Sequence, residues 1–166
     1  LHEDRFDTRL VLHSAAALPD VSFVLAGPVL LGQQSRDRLS QTPNIHVLGV
    51  VEHAMIPSLL HAFDVCILPM PVSEFTDSLD PIKIREYLAA GRPVVSTRFD
   101  AVTAYQQLLT VTSGEGFAAG VAEAIRTAPQ HDGGPGRLAL AGQRWTDRVD
   151  AAAAVLTRAR SHAAGA

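Results

Sequence analysis

The sequence predicts an α/β fold built on a doubly wound, Rossmann-like parallel sheet. Three observations carry that prediction. Short apolar runs recur at residues 21–26 (VSFVLA), 44–49 (NIHVLG), 65–69 (VCILP) and 93–97 (PVVST), each the length of a buried strand. Segments with helical spacing of apolar residues separate these runs. Gly27-Pro28, Gly49 and Pro69 punctuate the first three. Strands divided by helices form a parallel sheet covered on both faces. In such sheets ligands bind beyond the carboxyl ends of the strands, beside helix N-termini.

Each element follows in order. Residues 5–18 (RFDTRLVLHSAAAL) place Phe6, Leu10, His13 and Ala17 on one stripe, a helical pattern that Pro19-Asp20 breaks. The strand at 21–26 is followed by a short helix at 34–40 and the strand at 44–49. Helical spacing returns at 54–63, where Ile56, Leu59, Leu60 and Phe63 cluster. The strand at 65–69 leads into a loop rich in Pro, Ser and Asp over 69–80. A helix at 81–90, Gly91 and the strand at 93–97 come next. Residues 101–108 read as a helix, 109–112 as a weak strand and 115–128 as a strong helix. The segment 129–136 (PQHDGGPG) is a loop, and 137–163 an Ala- and Arg-rich helix. The 166 residues suit one domain, with 137–166 its helical terminal segment.

Composition narrows the function. Hydrophobic residues make up 47 % of the chain, enough for a packed core, and the net charge of −3 argues against a nucleic-acid binder. A single cysteine, Cys66, excludes an intramolecular disulfide framework and a Cys-rich metal site. No apolar run approaches the ~20 residues of a membrane span, and nothing at the start reads as a signal peptide, so a cytoplasmic domain is expected. Alanine occurs 25 times, and arginine supplies 13 of the 14 basic residues. The remaining one is Lys83.

That lysine lies in the informative segment, 80–95 (DPIKIREYLAAGRPVV). Asp80 is a good N-cap residue and Pro81 suits the first helical position, while Gly91 and Pro93 end the helix. Lys83 then sits in the first turn, where a cation opposes the helix dipole at a cost of about 0.3–1 kcal/mol. An anion bound at that end turns the cost into a gain, with lysine as point charge and free N–H groups as directional donors. Glu86 shares a face with Lys83, and an ionised carboxylate that only accepts hydrogen bonds suits a pair of sugar hydroxyls. Ala90 extends that face with a small side chain. Phosphate beside hydroxyls describes a nucleotide. The same spacing also fits a surface ion pair with no ligand.

The stretch DPIKIREYLAAGRPVVST resembles the donor-binding signature of GT-B glycosyltransferases, closest to the bacterial exopolysaccharide-type and family-4-like enzymes. Their pattern runs N/D-P-x-K-x-x-E-Y-L-A-x-G-x-P-V-V. The likeness extends upstream through Leu18-Pro19, Phe23–Ala26 with Gly27-Pro28, residues 44–49 and residues 63–69, and downstream to Trp145. It implies the C-terminal, nucleotide-sugar-binding half of a GT-B enzyme. By it Lys83 would meet the diphosphate, with Pro81 and Ile82 beside it, and Glu86 would hold the ribose hydroxyls. Gly27-Pro28 and Val50-Val51 would border the nucleotide.

The donor would be a UDP- or GDP-linked sugar used as substrate, with no metal and no other cofactor. The acceptor, a sugar or a lipid-linked sugar, would belong to the N-terminal domain, outside this chain.

Two departures from the family pattern matter. Many family-4 enzymes carry two glutamates separated by seven residues; Glu86 matches the second, but Ser78 stands at the first. Glu74, Asp77 or Asp80 would have to replace that contact. The family also has a strand before the helix that starts here near Arg5, central in the order 3-2-1-4-5-6. A gapped sheet is therefore expected, and the chain taken alone is expected to be inactive.

Other residues read as structural. His46 and His61 suit packing or surface positions, with His53 better placed near a nucleotide. Cys66 reads as a small buried hydrophobe, Tyr87 and Leu88 as packing for the motif helix, and Trp145 as an anchor for the terminal helix. The loop 70–80 is placed to cover a donor sugar. Arginines within 144–160 read as a solvated face, with contact to anionic lipid the alternative. The alternatives to a glycosyltransferase are a GT-B sugar-nucleotide epimerase and a non-catalytic nucleotide-binding or interaction module.

Overall fold

The structure, a computed structural model, describes residues 1–143 and 145–164, apart from the side chains of Trp145, Arg148 and 159–164. The anchoring role read for Trp145 therefore falls outside the described side chains, as does Arg144. The strands among the described residues are β1 (Phe23–Ala26), β2 (Ile45–Gly49), β3 (Cys66–Leu68), β4 (Val94–Thr97) and β5 (Thr110–Thr112). The helices are α1 (Thr8–Ala17), α2 (Gln33–Ser40), α3 (Ile56–Ala62), α4 (Glu74–Asp77), α5 (Ile82–Ala90), α6 (Asp100–Thr103), α7 (Phe117–Thr127), α8 (Gly134–Ala139) and α9 (Trp145–Ala164). No helix among the described residues is long and apolar enough to cross a membrane.

Every strand pair is parallel, in two groups: β1 with β2, and β3–β4–β5. Phe23 lies opposite Ile45, Cys66 opposite Val94 and Val95 opposite Thr110. β4 is buried at all four positions because it is paired on both edges and covered on both faces. Its side chains alternate. Val94 packs with Leu60, Ile84 and Leu88 under α3 and α5, while Val95 packs with Leu10, Phe117 and Val121 under α1 and α7. A further cluster joins Phe6, Val11 and Ala15 to Phe23, Leu25, Leu39 and Ile45.

The sheet is gapped between β1 and β3, where the expected central strand would run. In a strand the N–H and C=O of one residue point to the same side. Phe23 N–H donates to the Asn44 carbonyl (2.8 Å), so Val24 turns its backbone groups to the gap. Cys66 N–H donates to the Pro93 carbonyl (2.9 Å), so Val65, Ile67 and Pro69 do likewise. Pro69 finds a substitute, since its carbonyl accepts from Asp7 N–H at 2.8 Å. The only pairing of the first residues with the region after β1 is an isolated bridge, His2 to Leu30, among the described residues. A cavity of about 1340 Å³ occupies the gap and runs from Ser22 and Val65 to Pro28 and Lys83.

Several boundaries differ from expectation. The buried stripe of α1 is Leu10, Val11, Ser14 and Ala15; Phe6 is buried ahead of the helix, and His13 and Ala17 face solvent. Asp7 caps α1 by accepting from Leu10 N–H at 3.0 Å, and that cap sets its start. The loop at 69–80 contains α4, closed by a capping box between Ser73 and Thr76. Of the expected helix at 101–108 only 101–103 is helical, within α6. The terminal helix is broken: α8 already begins at Gly134, and turns over 140–143, with Gly142 at φ +78°, separate it from α9.

Two side-chain features hold this frame. The Asn44 amide donates to the carbonyls of Ala15 (3.0 Å), Leu18 (3.0 Å) and Val21 (2.9 Å), tying the end of α1 to the approach to β1. Gly91 ends α5 at φ +68°, and a Cβ on Gly133 would lie 2.5 Å from Gly91 Cα. Asn44→Ala removes two N–H donors shared among three carbonyls, of which Leu18 keeps the N–H of Val21, and should cost about 1–3 kcal/mol, read from the urea midpoint. Gly133→Ala must separate two backbones and should cost about 1–3 kcal/mol in the same assay. Burial pushes the Cys66 thiol up to about 12, against the opposing pull of the Arg92 charge. A thiol so raised stays protonated when folded, so its share of stability is whole below the ordinary thiol value and is lost as pH climbs towards 12. Aromatic disulfide reagent at pH 8 should therefore label Cys66 only slowly in the folded chain and rapidly in urea; fast labelling of the folded chain would contradict its burial.

Candidate functional site

Parallel pairing brings the strand carboxyl ends together within each group, and the first residues link the two groups at those ends, with His2 bridged to Leu30 after β1 and Asp7 N–H donating to the Pro69 carbonyl after β3. Gly27, at φ +127°, ends β1, and Gly49, at φ +71°, ends β2. Neither would meet a neighbouring atom within 4 Å if given a Cβ, so backbone conformation and not crowding requires glycine there. Pro28 follows the first turn and lines the cavity mouth. Val50 and Val51 follow the second; Val50 is 79 % exposed and neither lines the cavity.

The loop after β3 starts from these linked ends. Thr97 Oγ1 accepts from Met70 N–H (3.1 Å) and donates to the Met70 carbonyl (2.7 Å), pinning the loop to the end of β4. Thr76 is fully buried and donates to the Pro71 carbonyl at 2.7 Å. Phe75 lines the cavity, with the Arg5 guanidinium 5.6 Å from its ring centre. This loop is fastened over the cavity mouth and is not merely a solvated connection.

α5 enters beside it. Pro81 and Ile82 line the cavity with Lys83, so three expected residues come together with Pro28. Lys83 Nζ lies 2.6 Å from Glu86 Oε2, on a half-exposed surface. The two groups singled out by spacing are thus joined to each other. The first turn carries no side-chain cap, and Pro81 occupies the N-cap position. The expectation of Asp80 as N-cap and Pro81 as first helical residue is corrected. The Asp80 carboxylate instead takes two hydrogen bonds from Arg85, each 2.9 Å. A forked guanidinium pairs both oxygens at once, which a single backbone N–H cannot do.

Arg85 is held in turn. Its guanidinium lies 6.0 Å from the centre of the Tyr105 ring, and its Nε donates to Gln143 Oε1 at 3.4 Å. The hydrogen bond to Asp80, chiefly, raises the already high pKa of Arg85 further. Tyr87 lines the cavity, and burial pushes its hydroxyl well above the ordinary phenol value, so it stays neutral. Leu88 is buried beneath α5 in the same core cluster.

Ser78 is not turned to the cavity: its Oγ donates to the Phe75 carbonyl at 2.7 Å, closing α4. Asp77 accepts from Asp100 N–H at 3.2 Å, Asp80 is committed to Arg85, and Glu74 is exposed in the first turn of α4. His46, His53 and His61 are exposed. Sequence reasoning missed the Asp80–Arg85 clamp. Five residues apart is not a helical neighbour spacing, and the pair forms only because Asp80 lies one residue ahead of the helix entrance.

The chain is similar to known proteins. Over 104 residues the chain is 29 % identical to the putative teichuronic acid biosynthesis glycosyltransferase TuaH of Bacillus subtilis (strain 168), covering 62 % of this chain and 26 % of that protein. The fold matches crystal structures of Anabaena Alr3699/HepE. In complex with UDP-glucose, the TM-score is 0.62 at 20 % identity, over 95 % of this chain and 46 % of that one. In complex with UDP, the TM-score is 0.60 at 21 % identity, over 90 % and 44 %. The chain thus spans less than half of the solved relatives and about a quarter of the curated one. Residues 7–129 match the model of the glycosyl transferases group 1, and the chain belongs to that family.

Proposed function

We propose that this chain binds the donor of a glycosyltransferase reaction, a UDP-linked sugar, at the mouth formed by β1, β2 and the start of α5. The observation that carries the reading is the first turn of α5. There a lysine stands in an uncapped helix entrance, one turn from a carboxylate. Backbone N–H groups and the positive end of the helix dipole favour an anion at that place. The family and the UDP and UDP-glucose bound in the HepE structures support a nucleotide sugar as that anion.

In this reading Lys83 and the first-turn N–H groups receive the diphosphate. Glu86 accepts the two ribose hydroxyls. Gly27-Pro28 and Val50-Val51 border the nucleotide. Binding exchanges one ion pair for two ligand contacts, since Lys83 leaves Glu86 for phosphate and Glu86 turns to hydroxyls. The loop fastened by Thr76 and Thr97 covers the sugar. As the sugar–phosphate bond breaks, negative charge grows on the diphosphate, and preorganised donors stabilise it without reorganising. The acceptor, a sugar or a lipid-linked sugar at the inner face of a membrane, approaches from the other half of such an enzyme together with any catalytic base. The name of the TuaH relative supports polysaccharide synthesis as the process.

The experiment is calorimetric titration of UDP-glucose into the chain, into Lys83→Ala and into Glu86→Ala. The expected result is loss of roughly tenfold or more in affinity for Lys83→Ala, the scale of a charge-assisted bond. No binding by the parent chain, or equal binding by Lys83→Ala, would overturn the assignment. Addition of a chelator should leave the affinity unchanged, because here helix and lysine supply the charge that a metal would otherwise supply; a fall in affinity would show that a metal is required.

A further inference from the structure

The first residues cross the cavity mouth as a strap, and Arg5 is the open charge on it. Its backbone is fixed on both sides. Arg5 N–H donates to the His2 carbonyl at 2.9 Å, Phe6 is buried, and Asp7 N–H donates to the Pro69 carbonyl at 2.8 Å. The side chain is exposed and lines the cavity, with its guanidinium 5.6 Å from the centre of the Phe75 ring. Attraction to a ring leaves the guanidinium N–H groups available for hydrogen bonds. Among the described residues no side chain accepts from them and no carboxylate pairs with Arg5. The carboxylates nearest in the chain are committed. Glu3 accepts from Gly32 N–H at 2.9 Å, Asp4 lies 3.3 Å from His2 Nδ1, and Asp7 caps α1. The wall that carries Phe75 offers no free carboxylate either. Asp77 accepts from Asp100 N–H, Asp80 is paired with Arg85, and Ser78 spends its hydroxyl on the Phe75 carbonyl. Glu74 does not line the cavity.

A carboxylate only accepts hydrogen bonds and so suits the hydroxyls of a neutral sugar. A guanidinium only donates, and its fork matches a carboxylate or a phosphate. We propose that Arg5 reads the donor sugar, and that this sugar carries a carboxylate: the donor class is a UDP-linked uronic acid. This rests on the reading of the first turn of α5 as the diphosphate site and of the loop after β3 as the cover of the sugar. Lys83 takes the diphosphate. Arg5, stacked on Phe75 of the sugar cover, takes the carboxylate in a two-pronged contact. Phe75 holds the guanidinium at that place. The carboxylate is no part of the bond that breaks, so Arg5 sets which donor binds and leaves the chemistry of the leaving group to α5.

The test is calorimetric titration of UDP, UDP-glucose and UDP-glucuronate into the full chain, Arg5→Gln and Arg5→Lys, with urea midpoints taken alongside. The parent chain should bind UDP-glucuronate about fivefold or more tighter than UDP-glucose, the scale of a forked ion pair at a partly open site. Arg5→Gln should lose that preference while its affinities for UDP and UDP-glucose stay within about twofold of the parent. Arg5→Lys, which keeps the charge but not the fork, should keep part of the preference. Equal affinity of the parent for the two sugars would overturn the proposal, as would a preference that survives in Arg5→Gln. If Arg5→Gln weakens all three ligands alike, the guanidinium meets the diphosphate, and the uronic acid assignment falls. Should Arg5→Gln not fold, Arg5→Lys decides: a reduced preference upholds the assignment, and an unchanged one overturns it. A parent chain that binds none of the three would instead remove the donor-site reading, and the proposal with it.

Discussion

The parallel direction of every strand pair is the constraint on which the rest depends. Within each group it gathers the strand carboxyl ends, Gly27 with Gly49 and the loop after Leu68 with the end of β4, and the contacts of His2 with Leu30 and of Asp7 with Pro69 join the two sets of ends. It also requires helical crossovers, and these supply the helix N-termini that face those ends. The position of α5 follows from burial. Ile84 and Leu88 point into the cluster beneath β3 and β4, which turns Lys83 and Glu86 outward together. Residues three apart cannot both reach a ligand unless the helix is oriented in this way, so the packing of two apolar side chains decides where the polar ones act.

The gap in the sheet is the second organising feature. Two strand edges with inward-facing backbone groups stand across a cavity, and the first residues of the chain satisfy only some of them. Helix α1 spans the two groups on one face. Leu10 packs with Val95 and Phe117 of one group, while Val11 and Ala15 pack with Phe23 and Leu25 of the other. Side-chain packing thus joins what the hydrogen-bond ladder does not. The mouth of the site lies at the carboxyl end of this same cavity, so the rigidity of the site depends on how firmly the two groups are held together.

Much of this was legible in the sequence. The strands were legible because apolar runs such as VCILP and PVVST are short, rich in β-branched residues and bounded by turn residues. The left-handed end of α5 was legible at Gly91, since glycine takes φ +68° without strain. The entrance of α5 was not. Capping preference named Asp80, but Pro81 takes the N-cap position and the Asp80 carboxylate accepts from the guanidinium fork of Arg85, five residues on. The stripe of α1 was not legible, because Phe6 is buried ahead of the helix and Val11 takes the core position. The break at 140–143 hid within a stretch rich in alanine and arginine, where only Gly142 marks a stop. For the site, Lys83 and Glu86 were found from spacing and from the rarity of lysine. Ser78 was carried by family pattern alone, and its hydroxyl closes α4 instead.

The central claim is that the uncapped entrance of α5 and the turns after β1 and β2 form one anion-binding edge. Amide nitrogen–proton spectra of the labelled chain during titration with UDP-glucose test it most directly. The account predicts that the amides of Gly27, Val50, Val51, Ile82 and Lys83 shift together and saturate with one affinity, while those of Asp20, Phe63 and Asp64 at the opposite strand ends stay in place. Shifts confined to the opposite ends, or spread without saturation, would contradict it.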